Sequence, residues 1–227
     1  MFDADILANE DPTDSDGDGI TGVARMVTVA GVPEVGRFGW KAGIPLLQDF
    51  IGDAMGNEIG VTSPDTGRGF AFLTDSDGVA DPELSSTEFE DLLFFLQMLD
   101  APRRVGSADP LVALGEQVFS EVGCATCHIP SLAGSEGPVN LYSDLLLHNV
   151  HPSTFRGMED PGAGVGLYRT PPLWGIRLTD PYFHDGRAET LVDAVLLHQG
   201  EATSSRVAFE NLSSTEQDAL IRFLEDL

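Results

Sequence analysis

The sequence predicts an all-α fold in which long ordered loops connect the helices. Apolar residues recur at helical spacing in several segments of the chain. Two of these segments begin with the same helix-capping pattern, and residues 130–180 are rich in Gly and Pro, as expected of an ordered loop with short helical pieces. Strand-like alternation is limited to residues 26–32, where it predicts one short strand.

The pentapeptide LSSTE occurs twice, at residues 84–88 and 212–216, and each copy precedes an amphipathic pattern. We expect a helix after each copy, because the first Ser can cap it and the Glu three positions later completes a capping box. A chance match between two capped helices is the alternative to an internal repeat. The apolar spacing predicts two further helices, over residues 111–122 and 190–198.

The composition describes a folded and strongly acidic protein. Hydrophobic residues make up 42% of the chain, and 37 acidic against 12 basic residues give a net charge of -25. Such a surface repels phosphate backbones and anionic lipids, which argues against nucleic acid as a partner. No run of about 18 apolar residues predicts a membrane span. The negative charge favours solubility; the alternative is that it attracts a basic redox partner protein.

Both cysteines of the chain lie in one motif, Cys124-Ala125-Thr126-Cys127-His128. Two thiols at this spacing can form thioethers with the vinyl groups of haem, and the adjacent imidazole can bind iron. A thioredoxin-like pair would require a strand–turn–helix context, and a zinc site would require a second Cys/His pair; neither is present. The motif therefore predicts one covalent haem c in a cytochrome c-like domain, with His128 as the first axial ligand.

The second axial ligand decides the chemistry, because an occupied sixth position favours electron transfer and an open one permits peroxide chemistry. His198 is favoured, since it lies on the apolar face of a predicted helix, where an unpaired imidazole is costly. The downstream candidates are His148, His151, Met158, Tyr168, His184 and His198.

The first residues, Met1–Ile6, have neither a basic nor an apolar region, so no signal peptide is predicted. Covalent haem attachment takes place outside the cytoplasm, and we therefore expect a periplasmic or otherwise extracytoplasmic location. A mature chain and a fragment of a longer protein are both compatible with this expectation.

Three segments, residues 141–148, 168–175 and 181–191, resemble the di-haem oxidoreductase (thiol oxidoreductase-like) family. That family is similar to bacterial di-haem cytochrome c peroxidases and to their tryptophan-tryptophylquinone-forming relative. Residues 14–22 and 36–42 resemble family segments as well, so the likeness covers nearly the whole chain.

The resemblance implies that His198 occupies the distal ligand position of the C-terminal, electron-transferring haem. This position is Met in the peroxidases and Tyr in the quinone-forming relative, so His implies a bis-His, low-spin, low-potential haem. The resemblance assigns further residues to the haem surroundings: His184 near a propionate, Arg169 and Arg187 as propionate partners, Pro171, Leu173 and Trp174 as walls of the ring, and Trp40 as an electron relay between two haems.

The chain departs from this family in having one haem motif instead of two. We therefore expect residues 1–104 to be the remainder of a first cytochrome c-like unit without a haem motif, and residues 105–227 to be a c-type cytochrome domain. Where many relatives read His-Asp-Met-Gly, residues 148–151 read His-Asn-Val-His, which removes one methionine ligand candidate.

Asp14, Asp16 and Asp18 have the spacing with which alternate carboxylates converge on calcium. The twelfth position of this loop is Arg25 instead of Glu, so the loop is no EF-hand. An acidic surface turn is the alternative, while the resemblance implies calcium near the haem interface.

Together these features predict a bis-His electron-transfer protein with an unidentified redox partner. The alternative is part of a di-haem peroxidase or oxidoreductase whose second haem lies in a missing segment or a partner chain. The sequence gives no positive sign of a third role, as one link of a multi-haem assembly.

Overall fold

The computed structural model describes all residues, 1–227, and they form two compact units. The first unit combines Met1–Ala24 with Ala101–Leu227, and the second is Arg25–Asp100. The N-terminal residues belong to the first unit because they pair with its later segments; for example, Val23 forms an antiparallel bridge with Leu147.

The chain forms seven α-helices and six β-strands. In chain order these are α1 (Asp3–Leu7), β1 (Met26–Val29), β2 (Val32–Val35), α2 (Leu47–Ala54), α3 (Ser86–Gln97), α4 (Pro110–Glu121), β3 (Leu132–Gly134), β4 (Gly137–Val139), β5 (Leu147–Asn149), β6 (Leu167–Arg169), α5 (Leu191–Leu196), α6 (Thr203–Glu210) and α7 (Ser214–Asp226). No helix is both long and apolar enough to cross a membrane.

The all-α prediction is wrong, because the fold is mixed. Helices account for 35% of the chain and strands for 12%, in three two-stranded antiparallel sheets. The strands have three or four residues each, too few for an alternating pattern to be recognised among the Gly and Pro residues around them. The one strand predicted at residues 26–32 is in fact the hairpin of β1 and β2.

The predicted helices are confirmed, and their capping residues explain where they begin. Ser85 and Ser213 each accept a hydrogen bond from the backbone N–H of the Glu three positions later, which completes both capping boxes. Asp109 caps α4, with Pro110 in the first turn. Helix α5 is shorter than predicted and ends at Leu196, so His198 lies just past its end.

The core of the first unit is the crossing of α4 and α7. An ideal Cβ at Gly115 would lie 1.9 Å from the backbone oxygen of Ala219, so the two helices approach each other more closely than any side chain there would allow. Beside the crossing, the rings of Phe119, Tyr142 and Phe223 meet edge to face with centroids 5.2 to 6.2 Å apart.

The second unit combines buried apolar side chains with polar contacts around buried acidic and hydroxyl groups. Arg68 donates to the buried carboxylate of Asp49 at 2.7 Å and also pairs with Glu34 of β2. The hydroxyl of buried Thr62 donates to Asp81 at 2.6 Å. In helix α3 only Phe89 is buried.

Replacement of Gly115 by Ala tests the close crossing of α4 and α7. We expect Gly115→Ala to lower the free energy of unfolding by about 3 kcal/mol, because the helices must separate and this outweighs the gain in helix propensity of about 1 kcal/mol. Chemical denaturation measures the difference. Gly164→Ala is the matched control, since a Cβ at that position would meet nothing within 4 Å. Equal stability of the two variants would contradict the packing described above.

Candidate functional site

A cavity in the first unit contains the residues with the most distinctive chemistry. Its volume is about 100 Å³. Cys124 and His128 line it together with His198. The other lining residues are mostly apolar and come from α4 to α7 and the loops between them: Phe119, Leu173, Ile176, Leu191, Ala194, Val195, Ala202, Ser205, Arg206, Leu220 and Leu224.

The cysteine motif begins directly after α4, where Gly123 turns the chain with a φ of 84°. Cys124–Thr126 then form one 3-10 turn, and the backbone N–H of His128 donates to the carbonyl oxygen of Cys124 at 3.0 Å. Neither cysteine forms a disulfide. Burial, together with Cys127, raises the pKa of Cys124 to about 12. Thiol–disulfide exchange requires a lowered thiol pKa, so this microenvironment does not suit a dithiol redox site.

The ring of His128 is held by the backbone of a later segment. Its Nδ1–H donates to the carbonyl oxygen of Tyr142 at 3.0 Å, and no hydrogen bond involves Nε2. Burial lowers the pKa of His128 to about 4, so the imidazole is neutral at physiological pH. A neutral ring with Nδ1 occupied and Nε2 available is the form in which His binds a metal.

His198 has the same arrangement on its side of the cavity. Its Nδ1–H donates to the carbonyl oxygen of Ala194, one turn earlier, at 2.7 Å, and no hydrogen bond involves Nε2. Burial lowers the pKa of His198 as well. The residues of this cavity therefore fit a haem: two neutral imidazoles with available Nε2 atoms, an apolar lining and a cysteine at its wall.

The other candidates for the second axial ligand do not line the cavity. The His148 ring is hydrogen-bonded on both sides by carboxylates, and the ring of His151 stacks on Phe155 with centroids 4.0 Å apart. The ring of His184 stacks on that of Tyr168 at 3.9 Å. Met158 is 78% exposed.

Among the residues that the resemblance assigned to the haem surroundings, Leu173 lines the cavity and the others do not. Pro171 is exposed and Trp174 is half-buried. Arg187 pairs with Asp185 at 2.7 Å, and burial lowers the pKa of Arg169 to about 10. Trp40 belongs to the second unit and is 52% exposed. Their roles toward a haem stay predictions.

Sequence reasoning did not assign most of the cavity wall. Helical periodicity predicts that some of these residues share one face of a helix, namely Leu191, Ala194 and Val195 in α5 and Leu220 and Leu224 in α7. It does not predict that the two faces form walls of one cavity. Arg206 was missed altogether. It lines the cavity, and its buried Nε makes no hydrogen bond.

The side-chain oxygens of Asp14, Asp16 and Asp18 lie within 4.8 Å of one another in the first unit. The carboxylates accept hydrogen bonds from nearby backbone N–H groups, including that of Gly19 to Asp14 at 3.0 Å. A second group of the same kind, Asp75, Asp77 and Glu83, lies in the second unit. Its Asp-x-Asp-Gly spacing repeats that of residues 14–17 and could have been found in the sequence.

Comparison with known proteins identifies the family. No curated protein sequence matches the chain. Among solved structures, the chain is similar to a hydrazine synthase from Kuenenia stuttgartiensis, studied under 20 bar xenon, with 22% identity and a TM-score of 0.43. The alignment covers 63% of this chain and 56% of that chain, so this chain spans little more than half of that protein. The family described as "di-haem oxidoreductase, putative peroxidase" matches over residues 1–227, and the chain therefore belongs to this family of haem-dependent redox proteins.

Proposed function

We propose that this chain carries one covalently attached haem c and transfers electrons, with His128 and His198 as the two axial ligands. The observation that carries the proposal is the matched pair of imidazoles in one apolar cavity. Each ring donates its Nδ1–H to a backbone carbonyl and keeps Nε2 available. Cys124 and Cys127 supply the two thioether bonds in this proposal.

The haem, when bound, supplies a one-electron redox couple. The residues of the chain set the environment of that couple. The carbonyls of Tyr142 and Ala194 fix the orientations of the His128 and His198 rings, and the apolar wall excludes water. Two imidazole ligands favour a lower reduction potential than a His–Met pair. An occupied sixth position leaves no site for peroxide, which is why electron transfer is proposed ahead of peroxidase activity.

We further propose an extracytoplasmic location and a redox partner with a basic surface. The net charge of -25 attracts such a partner over long distances at low ionic strength. In this proposal residues 105–227 are the cytochrome domain, and any second haem of the family lies outside this chain, in a missing segment or a partner chain. The family description favours one alternative, a peroxidase that includes that second haem.

The ligand assignment predicts the spectrum of the protein. We expect the ferric haem to be low-spin and the ferrous haem to be unaffected by carbon monoxide, because His198 occupies the sixth position. His198→Ala is expected to become high-spin and to bind carbon monoxide, whereas His184→Ala keeps the parent spectrum. Optical and EPR spectra measure both. Peroxide turnover by this chain alone, or ready carbon monoxide binding by the parent protein, would favour the peroxidase alternative.

The covalent attachment predicts that haem stays with the denatured chain. A pyridine haemochrome assay is expected to give one haem per chain, and haem staining is expected to persist on a denaturing gel. Replacing both cysteines by Ser removes the staining, because no thioether can form. Retained staining in the double variant, or two haems per chain, would contradict the proposal.

We also propose that the Asp14–Asp18 loop binds calcium. Its three carboxylates are already close together, and carboxylate oxygens are the ligands that calcium prefers. Terbium luminescence, displaced by calcium, is expected from the parent protein and to fall by about tenfold in Asp16→Asn, because a ligand charge is lost. Asp77→Asn reports on the second acidic group, and Asp91→Asn in α3 is the charge-matched control. Luminescence that is the same in Asp16→Asn and in the control rules out the calcium site.

A further inference from the structure

A buried ionic triad lies next to the cysteine motif and has no part in the function proposed above. His148 is 4% exposed, and its Nε2 is 2.8 Å from a carboxylate oxygen of Asp144, itself buried. Its Nδ1 is 2.8 Å from a carboxylate oxygen of Glu201. A ring that donates on both sides is an imidazolium. Buried charges of this kind are stable only when they are paired and fully hydrogen-bonded.

The two carboxylates of the triad also accept hydrogen bonds from backbone N–H groups. The second oxygen of Asp144 accepts from the N–H of Leu146 at 2.9 Å. Glu201 accepts from the N–H groups of Asn149 at 2.8 Å and Thr21 at 2.9 Å. The triad thereby joins three segments that are distant in the sequence, and a network satisfied to this degree is rigid.

Each end of the triad is close in sequence to one of the two histidines of the cavity. Asp144 follows two residues after Tyr142, whose carbonyl orients His128, and its N–H donates to the carbonyl of Cys127 at 2.9 Å. Glu201 follows three residues after His198. The intervening backbone is fixed as well, because the N–H of Gln199 donates to the carbonyl of Val150 at 3.0 Å.

Gly200 makes this arrangement possible. It has a φ of 54°, and an ideal Cβ there would lie 2.1 Å from the carbonyl oxygen of Asn149. Only glycine permits the turn after His198 to approach the segment after His148 so closely. This contact fixes the position of the His198 segment relative to residues 141–150.

The His148 ring of the triad is positively charged at physiological pH. Burial alone would lower the pKa of His148, but hydrogen bonds to Asp144, Cys127 and Glu201 raise it to about 12. Under the proposed function Cys127 is a thioether, and the two carboxylates remain as partners. These two carboxylates favour the charged form of the His148 ring.

We propose that Asp144, His148 and Glu201 are positioning residues that hold the His198 segment, so that the second axial ligand stays in place. The inference rests on the proposed function, in which His198 is that ligand. None of the three touches the haem in this proposal. Their effect is on the fraction of time that His198 occupies the sixth position.

The test compares three haem-loaded variants with the parent protein. Glu201→Ala removes the acceptor, Glu201→Gln keeps an acceptor but removes the charge, and Glu136→Ala, in the exposed turn between β3 and β4, is the control with the same loss of charge. We expect Glu201→Ala to show a ferric high-spin fraction about tenfold above that of the parent, together with carbon monoxide binding, since the hydrogen bonds that Glu201 accepts from His148, Asn149 and Thr21 are lost. Glu201→Gln is expected to show about a threefold rise by the same reasoning, and Glu136→Ala none.

Added imidazole separates ligand positioning from general loss of structure. It is expected to restore the low-spin spectrum of Glu201→Ala, because the cavity is intact and only the ligand has moved. Parent-like spectra and carbon monoxide binding in Glu201→Ala overturn the inference, and so does a high-spin spectrum that imidazole does not change.

Two further outcomes keep the inference distinct from the proposed function. If Glu201→Ala yields no haem protein, Glu201→Gln decides alone, and the absence of any rise in its carbon monoxide binding overturns the inference. Failure of the proposed function has another signature: the parent protein itself is then high-spin or binds carbon monoxide before any residue of the triad is changed.

Discussion

The first unit depends on eight consecutive residues, Leu141–His148, that are all buried although none but the last two belongs to a regular element. A buried backbone must find a hydrogen-bond partner for nearly every polar group. Here the partners come from many directions: Leu173 donates to Leu141, Thr170 to Leu146, and Asp144 to Cys127. Because so many contacts converge on this segment, its conformation is fixed from outside.

This constraint explains the unusual backbone of the segment. Tyr142 and Leu145 have φ values of 53° and 63°, in the left-handed region that costs free energy for residues other than glycine. The surrounding hydrogen bonds hold them there. The result is a rigid support whose carbonyl at Tyr142 orients His128 and whose last residue, His148, reaches the chain beyond His198. One irregular segment thus contacts both the His128 ring and the chain beyond His198.

The parts of the fold that could be predicted from the sequence are those decided by residues close together in the chain. The capping boxes at Ser85 and Ser213 need only a Glu three positions away. The motif of Cys124, Cys127 and His128 is likewise recognised from its spacing alone. The apolar pattern over residues 190–198 singled out His198, which lines the cavity although α5 ends at Leu196; its role as a ligand stays a prediction.

What could not be predicted depends on residues that meet only in three dimensions. Strands β5 and β6 have three residues each and are stabilised by pairing with each other across a loop. An alternating sequence pattern does not specify them. The bond between Thr21 and Glu201 joins residues 180 positions apart, and no local rule points to it. Arg206 enters the cavity wall from the side of α6, a position that helical periodicity alone does not specify.

The discontinuous make-up of the first unit has a consequence for the order in which the protein can assemble. Residues 25–100 form a contiguous unit, whereas Met1–Ala24 must wait for Leu147 and Glu201 before their contacts exist. Leu220 and Leu224 of the cavity wall lie in the final helix. A chain that is synthesised or exported N-terminus first therefore exposes both thiols well before the cavity can close. Under the proposed function, covalent attachment can therefore precede folding of the unit, with the last helix closing over a group already tethered to the chain.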